Sequence, residues 1–595
     1  MKLNRTAAQW GAILLSAAAF AACSDDDDGG TGPGGDGPDT PTGLTTSIDL
    51  FDLTVEWDAV AGATGYDVSL DDGNPDTTDP SESTSATTVT FPRLAGGTDY
   101  AVSVVARNAD GTSAPATTTV TTPSLNMTFF MNDGYNNILA DPGLDPSAFE
   151  FGTQASPPDF RATMPEGYTA ATIPTGFDDN LIQPDFGRGL DDTDYAGAIA
   201  PGTDPADLWY AGWTVWATDG SDSRTWDEAA VTEVREDVLT DATWSGVVRI
   251  NGPVFVGVDC GADGAAVDCN AVTLTIEPGT TIIGGSDLDA GERGSYLVIN
   301  RGSRLIADAF ANRQDKTSRP RESEMIVFTS ENVVTGTAAR GDWGGVVING
   351  QAPTNVGDEA QGEGDSGFYG GADVDDDSGT IRGVRIEFAG DEVSPTDQLN
   401  GLALQGVGAG TTLSWIQIHY NEDDGVEPFG GAASVDHLVL TGIGDDSMDG
   451  TDGYRGFMQY VIIQQRGDNA GNGLELSNNG DTPEASPHST GIVANVTAVG
   501  AGESVVNGGI AGGESENGIQ LREGSNYRIY NSIITGFGQG GFCIRDGQTI
   551  VNALNALDGE DDPTTTVTAQ GLILWSNQAA GDADDNFAAC GSGSS

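Results

Sequence analysis

The densest concentration of side chains that could do chemistry is an acidic run. It contains Asp423, Asp424, Glu427, Asp445, Asp446, Asp449 and Asp452. Carboxylate oxygens are the ligands that Ca²⁺ prefers in proteins, and carboxylates held about 4.8 Å apart on adjacent strands repel one another unless a cation lies between them. The run therefore predicts a calcium site in which Asp424, Asp446 and Asp449 share the ion. A solvated acidic face without an ion is the alternative.

The acidic run lies inside a long stretch of repeated apolar segments. One set is WIQIHY (415–420), HLVLTG (437–442), YVIIQQ (460–465), IVANVTAVG (492–500), RIYNSIITGF (528–537) and QGLILW (570–575); the second set is NGLALQG (400–406), DGVEPFG (424–430), NGLELSN (472–478), NGIQLRE (517–523) and GGFCIRD (540–546). Several spacings within a set are 22–26 residues, which is typical of a solenoid with two or three short strands per rung. The aligned runs place Asp423 and Asp424 at the same corner as Asp445 and Asp446 of the next rung. The stretch 270–595 is therefore predicted to be a right-handed parallel β-helix with a C-terminal cap, and the chain to be all-β.

The start of this stretch carries a family resemblance. Segments 274–284 (LTIEPGTTIIG), 297–307 (LVINRGSRLIA), 326–330 (IVFTS) and 340–350 (RGDWGGVVING) resemble the first rungs of exported bacterial β-helix lipoproteins. The resemblance covers residues 200–575. It implies architecture alone, because no activity goes with it.

A catalytic use of the acidic run is the alternative to binding. Some β-helix proteins cleave acidic polysaccharides with Ca²⁺ and an Arg or Lys base, for which Arg455 and Arg466 are the candidates. A guanidinium rarely gives up its proton, and a glycosidase needs two carboxylates about 6.5–9.5 Å apart, which 90 acidic residues could supply by chance. His419 and His437 are 18 residues apart, so they are not expected to stack. The pattern favours binding over a polysaccharide lyase or glycoside hydrolase.

The stretch ahead of the repeats, 123–269, is irregular and rich in aromatic residues. Its most distinctive part, LWYAGWTVW (208–216), places Trp209, Trp213 and Trp216 close together. Three such side chains could stack on sugar rings, but the first rung of a solenoid also has an open end that must be covered. We expect this region to be a cap.

Residues 39–122 form a separate module with short alternating strands, which indicates a β-sandwich. Marker residues are Pro41, Leu44, Trp57, Gly65, Tyr66, Val68, Leu94, Gly97, Tyr100, Val102, Val104, Ala106, Gly111 and Ser113. On these residues the module resembles a fibronectin type III domain over almost its whole length. The resemblance implies a spacer or a module that binds a partner, and we expect a spacer.

The N-terminus has the features of an export signal. Residues 1–22 combine Lys2 and Arg5 with a short apolar run, and the sequence FAAC (20–23) resembles the lipobox of bacterial lipoproteins, which implies that Cys23 is lipidated. Ordinary secretion with an incidental cysteine is the alternative. Residues 23–38 form an acidic tether rich in Gly and Pro. Its run SDDDD resembles the surface-export signal of Bacteroidetes-type lipoproteins, which implies display on the outer face of the outer membrane.

Four cysteines remain after Cys23. An even number in an exported chain favours disulfides, and the pairs predicted are Cys260 with Cys269 and Cys543 with Cys590. A metal site of four thiolates is the competitor, but the sequence has no C-x-x-C pair to support it.

Charge limits the classes of partner. The 595 residues carry a net charge of −66, which repels phosphate backbones and anionic lipids, so nucleic-acid binding and polybasic membrane attachment are excluded. Lipid at the N-terminus is the expected contact with the membrane. The function predicted is a surface protein that presents an acidic β-helix to a polysaccharide, to matrix or to a protein partner, with Ca²⁺ as the one possible cofactor.

Overall fold

The chain divides into two compact units, which contain the described residues up to 122 and those from 137 onward. The computed structural model describes residues 37–49, 52–73, 80–91, 94, 98–122, 137–144, 157–173, 190–285, 294–315, 318–394, 397–467, 469–501, 515–546, 548–549, 552, 567–575, 577 and 587–589. Both units are built from strands in this part of the chain, which confirms the all-β class. The predicted signal peptide, Cys23 and almost all of the tether lie outside the described residues.

The first unit is a sandwich of two antiparallel sheets. One sheet contains Thr45–Asp49, Asp52–Glu56 and Thr88–Phe91; the other contains Gly65–Asp71, Ser81–Thr84, Asp99–Asn108, Gly111–Thr112 and Ala116–Thr121. Alternate residues of these strands are buried, and Trp57 packs edge-on against Tyr66 with ring centroids 5.2 Å apart. The Tyr66 hydroxyl accepts a hydrogen bond from the Val60 N–H at 2.9 Å, so the polar end of this core tyrosine is satisfied.

The second unit is a solenoid whose rungs pair in parallel. The strands of its first sheet, as described, are Ile138–Leu139, Val231–Val234, Ala242–Trp244, Val247–Ile250, Thr273–Ile276, Thr281–Gly284, Arg304–Asp308, Ile326–Ser330, Gly379–Glu387, Thr412–His419, Ser434–Thr441, Phe457–Gln464, Ile492–Val499, Arg528–Tyr530, Ile533–Thr535, Thr568–Gln570 and Ile573–Trp575. The strands of its second sheet are Pro253–Val256, Tyr296–Ile299, Gly345–Asn349, Leu402–Gln405, Val426–Phe429, Met448–Gly450, Leu474–Leu476, Ile519–Leu521, Phe542–Ile544 and Phe587–Ala589. This parallel arrangement confirms the predicted β-helix.

Short elements decorate the loops of the solenoid. The hairpins are Ala360–Gln361 with Phe368–Tyr369 and Glu392–Ser394 with Asp397–Gln398; the 3₁₀ helices are Pro205–Asp207, Glu228–Ala230, Glu331–Thr335 and Glu363–Asp365. The first hairpin packs Tyr369 and Ala360 on the outer face of the second sheet, over Val298, Val347 and Ala403. This hairpin therefore covers the early rungs of the second sheet.

The solenoid begins earlier than the sequence predicts. The region 123–269, predicted to be an irregular cap, contains the strands of the first coil from Val231 to Val256, and Val231 pairs in parallel with Val247. These strands are only three or four residues long, and charged residues such as Glu233 and Arg235 lie among them. So short an apolar run gives little periodicity, which is why the boundary predicted at 270 is too late.

The rest of that region does not cap one end; it runs along the solenoid. We call the described residues 137–144, 157–173 and 190–224 the strap. Its N-terminal residues Ile138 and Leu139 pair with Ile573 and Leu574 of the last rung, whereas Arg224 donates to the Gly279 carbonyl in an early rung at 3.1 Å. The strap covers the outer face of the first sheet because that face carries apolar side chains: Phe310, Trp415, Val439, Ile462, Val499, Ile533 and Ile573.

Outward amide side chains of the first sheet hold the strap. Gln417, Gln459 and Asn531 each accept from the N–H and donate to the C=O of one strap residue, at 2.8–2.9 Å; the partners are Val215, Asp191 and Ala171. These bonds satisfy both the amides and the backbone of a segment that makes little sheet of its own.

Candidate functional site

The candidate site is a column of carboxylates on the outer face of the second sheet. Strand register aligns Ala403 with Glu427 and Asp449 with Glu475, and the pairing of Val426 with Met448 aligns Glu427 with Asp449. The next residue of the column is Gln520. Earlier members of the same column are apolar and lie under the hairpin, so the column changes from apolar to acidic where that cover ends.

A second column forms the corner that leads into these strands. Two residues before each strand lie Asn400, Asp424, Asp446, Asn472 and Asn517. The Asp424 Oδ1 atom accepts from the Asp446 N–H at 2.9 Å, and the Asn472 Oδ1 atom accepts from the Asn517 N–H at 3.2 Å. An asparagine thus makes the same corner bond as an aspartate. The negative charges of Asp424 and Asp446 are therefore not needed to build the corner.

Neighbouring carboxylates approach closely in three groups. The groups are Asp423, Asp424 and Asp445; Asp424, Glu427 and Asp449; and Asp446, Asp449 and Glu475; within each group, one ligand atom per residue lies within 4.8 Å of the others. No described group contains Asp424, Asp446 and Asp449 together, so the predicted set is divided between two adjacent rungs. Asp452 belongs to none of the described groups, because its carboxylate instead accepts from the Tyr369 hydroxyl at 3.1 Å.

Burial makes these carboxylates hard to ionise. It raises the pKa of Asp423 to about 7, with the charge of Asp445 adding to the shift, and raises the pKa of Asp452 to about 6. Burial is also the main cause that raises the pKa values of the remaining members above their usual range: Asp424, Glu427, Asp445, Asp446, Asp449 and Glu475. Neighbouring carboxylates add to the rise at Asp424, Glu427 and Asp446, whereas the charge of Arg522 opposes it at Asp445, Asp449 and Glu475. A divalent cation would offset both effects, and the oxygen-only donor set suits Ca²⁺.

Four residues of this site were missed at the sequence level. Asn400 donates to Glu427 and to Glu363, which reaches the column from the 3₁₀ helix Glu363–Asp365. Arg522 forms an ion pair with Glu475 and donates to the Ser477 hydroxyl at 3.0 Å. Aligning NGLELSN with NGIQLRE places Glu475 beside Gln520 and Arg522 one rung from Ser477, so the repeat itself holds the signal for two of them.

The basic residues proposed for catalysis lie elsewhere. Arg466 donates to the Tyr420 hydroxyl, with its guanidinium 5.5 Å from the centroid of that ring. Arg455 is partly buried, and burial alone lowers its pKa. The ion pair described with the acidic column is instead that of Arg522 with Glu475.

His419 and His437 both have structural positions. His419 is fully buried and contacts the Thr441 hydroxyl at 2.8 Å and the Ala217 carbonyl at 3.1 Å. His437 stacks on Trp415, with ring centroids 4.0 Å apart, and contacts Tyr460 at 5.0 Å. The two histidines therefore do not stack on each other.

The tryptophans of the strap serve packing. Trp213 and Trp216 have no exposed surface, and Trp209 packs edge-on against Trp415 at 6.1 Å. A fully buried ring has no face for a sugar. This excludes Trp213 and Trp216 from a sugar platform.

Of the predicted disulfides, the structure contains the bond between Cys260 and Cys269. Cys543 is buried on Phe542–Ile544, which pairs in parallel with Phe587–Ala589. Cys590 lies outside the described residues, so its bond to Cys543 stays a prediction. Among the described residues no helix is long and apolar enough to cross a membrane.

Comparison with known proteins gives two family matches. The fibronectin type III domain matches residues 39–122, which confirms the predicted module, and a pectate-lyase like β-helix domain matches residues 262–586. A solved FN3tt variant is 28% identical over 15% of this chain and 99% of its own (TM-score 0.14), and the fn3 domain of human collagen α-1(XX) chain is 26% identical over 16% and 95% (TM-score 0.14). No curated protein matches the chain. Because the β-helix match spans more than half of its residues, the chain belongs to the family of pectate-lyase like β-helix domains, preceded here by a fibronectin type III domain.

Proposed function

We propose that this protein is a lipid-anchored protein on the surface of a bacterial outer membrane, where its acidic column binds Ca²⁺ and, through the ion, an acidic glycan. The observation that supports binding most strongly is the group formed by Asp424, Glu427 and Asp449, whose carboxylate oxygens lie within 4.8 Å of one another. Glu427 and Asp424 are 7% and 8% exposed, so water screens their repulsion poorly.

The corner column supports a functional role for the carboxylates of Asp424 and Asp446. Asn472 makes the backbone bond that Asp424 and Asp446 make. A buried carboxylate in place of an equally good amide lowers the stability of the folded chain, unless something compensates its charge. The Oδ1 atom of Asp449 is also buried without a hydrogen-bond donor, so its lone pairs are free to bind a cation.

An acidic glycan is the ligand class that fits such an ion. Ca²⁺ takes six to eight oxygen ligands, so a group of three side chains leaves positions for oxygens of a ligand. A chain with a net charge of −66 repels a polyanion, so binding of an acidic glycan has to depend on the bridging cation. Matrix or a surface protein would bind without that dependence.

Binding is tested on a panel of acidic and neutral polysaccharides, using the mature chain with Cys23→Ser, in Ca²⁺ and in chelator. We expect retention of acidic polysaccharides in Ca²⁺ only, and loss of retention in Asp424→Asn. The control is Asp263→Asn, which removes one charge at an exposed loop where the side chain accepts from the Ala265 N–H. Retention that ignores both Ca²⁺ and Asp424→Asn would contradict the proposal.

The anchor is supported by the lipobox-like FAAC and the acidic run that follows Cys23. Cys23→Ala should abolish incorporation of labelled palmitate and release the protein from membranes. Unchanged labelling would overturn the lipidated cysteine. Protease treatment of intact cells tests display, since a chain on the outer face is cleaved and one on the inner face is protected.

Cleavage of the glycan is the second candidate, and the family match to pectate-lyase like β-helices is the observation that favours it. The arginine nearest to the column is a poor base. Burial lowers the pKa of Arg522, but the charges of Glu475, Glu523, Asp449 and Asp446 outweigh this and raise it above its usual range. New reducing ends or unsaturated products in the same incubations would establish an enzyme.

A further inference from the structure

Two of the carboxylate groups are copies of one arrangement, displaced by one rung. The first group is Asp424, Glu427 and Asp449; the second group is Asp446, Asp449 and Glu475. Each contains a corner aspartate, the outward carboxylate three residues later, and the outward carboxylate of the next rung. Asp449 belongs to both groups. Whatever compensates one group has an equivalent place beside the other.

The second group already has a cation from the chain itself. The Arg522 guanidinium forms an ion pair with Glu475, and its Nε atom lies 3.5 Å from a Glu523 oxygen. The charges of Asp446 and Asp449 also act on Arg522, so every member of the second group interacts with this one guanidinium. Arg522 lies on the rung that follows Glu475, five residues after Asn517, which is the corner residue of that rung.

Among the described residues, the first group has no arginine of its own at the equivalent position. In the rung register, the position that corresponds to Arg522 is Ser477, because Glu475 aligns with Gln520. The surroundings instead add negative charge, since Asn400 joins Glu427 to the carboxylate of Glu363.

An independent observation points to a ligand at the first group. Asn400 has no exposed surface, and its Oδ1 atom is buried without a hydrogen-bond partner. The nitrogen of the same planar amide donates to Glu427 and Glu363, so this amide is part of the surroundings of the first group. A buried carbonyl oxygen without a donor is costly in a dry site, and it is a normal ligand for Ca²⁺.

We propose that Arg522 is the built-in cation of the second group, and that the first group binds a single divalent cation at the equivalent position. This inference rests on the proposed function, which requires a cation at the acidic column, and it adds where the ion lies and how many there are. Asp424, Glu427 and Asp449 supply carboxylate oxygens, and Asn400 supplies the amide oxygen. The second group needs no ion while Arg522 is present.

Calorimetric titration of the full mature chain with Ca²⁺, in about 0.15 M NaCl to screen surface charge, tests this proposal. We expect one tight ion in the native chain, two in Arg522→Gln and none in Asp424→Asn. Arg522→Lys keeps the positive charge and should still bind one ion. The double variant Arg522→Gln with Asp424→Asn should bind one ion, now in the second group.

The outcomes separate the two proposals. If Asp446→Asn loses the ion while Asp424→Asn keeps it, the ion lies in the second group, and this inference is overturned while cation binding stands. Two ions in the native chain, or no gain in Arg522→Gln, overturn it as well. If neither the native chain nor Arg522→Gln binds Ca²⁺, the cation of the proposed function is overturned too. Circular dichroism establishes that each variant is folded, and Arg522→Lys with Asp424→Asn keeps the test valid should Arg522→Gln fail to fold.

Discussion

The outer faces of the two sheets both carry buried polar side chains, but they differ in how those side chains are satisfied. On the first sheet, amides such as Gln417 and Asn531 bind strap backbone, and the buried carboxylate of Glu387 accepts from Arg385 Nε and from the Thr329 hydroxyl, both at 2.8 Å. On the second sheet, the carboxylates of Asp424 and Glu427 lie beside other carboxylates. The first face is completed by the chain itself, whereas on the second face Arg522 pairs with Glu475, and we propose that a cation from outside compensates Asp424 and Glu427.

The largest expected effect comes from breaking the first face at Trp213. Its ring is fully buried against the first sheet, and its carbonyl accepts from Arg385 Nη1 at 2.7 Å. Trp213→Ala should lower the free energy of unfolding by about 3–5 kcal/mol, because a large buried ring is lost and a cavity is left. Denaturant unfolding measures this loss.

The control for this variant is Trp575→Ala, since the Trp575 side chain is 37% exposed. Trp575→Ala should lower the free energy of unfolding clearly less than Trp213→Ala does. Equal losses in the two variants would mean that the strap contributes little to the stability of the solenoid.

A carboxylate in place of an outward amide on the first sheet should lower the stability by a smaller amount. Asn531→Asp places a carboxylate against the Ala171 carbonyl, to which the Asn531 amide donates at 2.9 Å. The variant loses a buried hydrogen bond and gains an uncompensated charge, so its free energy of unfolding should be lower by about 3 kcal/mol. The same change at the partly exposed Asn270, which donates to the Leu239 carbonyl, is the control and should cost less than half of that. If Asn531→Asp left the free energy of unfolding unchanged, this would contradict the role given to the outward amides.

The sequence predicts the solenoid because its inner face repeats in every rung. Leu474 and Leu476 align with Ile519 and Leu521, as the two repeated segments suggest. The path of the strap does not follow from such a pattern, since its bonds join residues as distant as Val215 and Gln417. A cluster of tryptophans looks the same whether it covers the end or the side of a solenoid. The bonds between the strap and the first sheet, such as that of Val215 with Gln417, show that it covers the side.

The same limit applies to the acidic site. Composition alone identifies the acidic run, and the 22-residue spacing aligns Asp424 with Asp446. Arg522 was missed because it lies two rungs beyond Asp449 and enters the site only through stacking. Arg522 is placed beside Glu475 only by an alignment of every position of the repeated segments, including the corners.

The next prediction concerns pH. Burial raises the pKa of Asp423 from its ordinary 3.8 to about 7 in the folded chain. A carboxyl whose pKa is raised by folding contributes stability that is fully present below its ordinary pKa and is lost as pH rises through the folded value. In chelator, the melting temperature of the solenoid should therefore fall as pH rises from 3.8 toward about 7.

Calcium should reverse this loss near neutral pH. An ion at 100 times its Kd adds about 2.7 kcal/mol to the stability of the folded chain. Thermal melts at several pH values, in Ca²⁺ and in chelator, measure the difference, with Na⁺ at matched ionic strength as the control for screening. If Na⁺ restores stability as well as micromolar Ca²⁺ does, the column is only a solvated acidic face.

The smallest effect is also the most specific, because its sign should change with the ion. Without Ca²⁺, Asp424→Asn removes one buried charge and keeps an oxygen to accept from the Asp446 N–H, as Asn472 does for Asn517. The variant should then be more stable than the native chain at neutral pH, by about 1 kcal/mol, the equivalent of roughly one unit of pKa shift. In excess Ca²⁺ it should be less stable, because the ion no longer binds. Melts of both chains under both conditions measure the crossing, and Asp263→Asn should show none. A variant that is less stable under both conditions would mean that the corner requires the carboxylate itself, and the asparagines at the neighbouring corners would then be no guide to the purpose of Asp424.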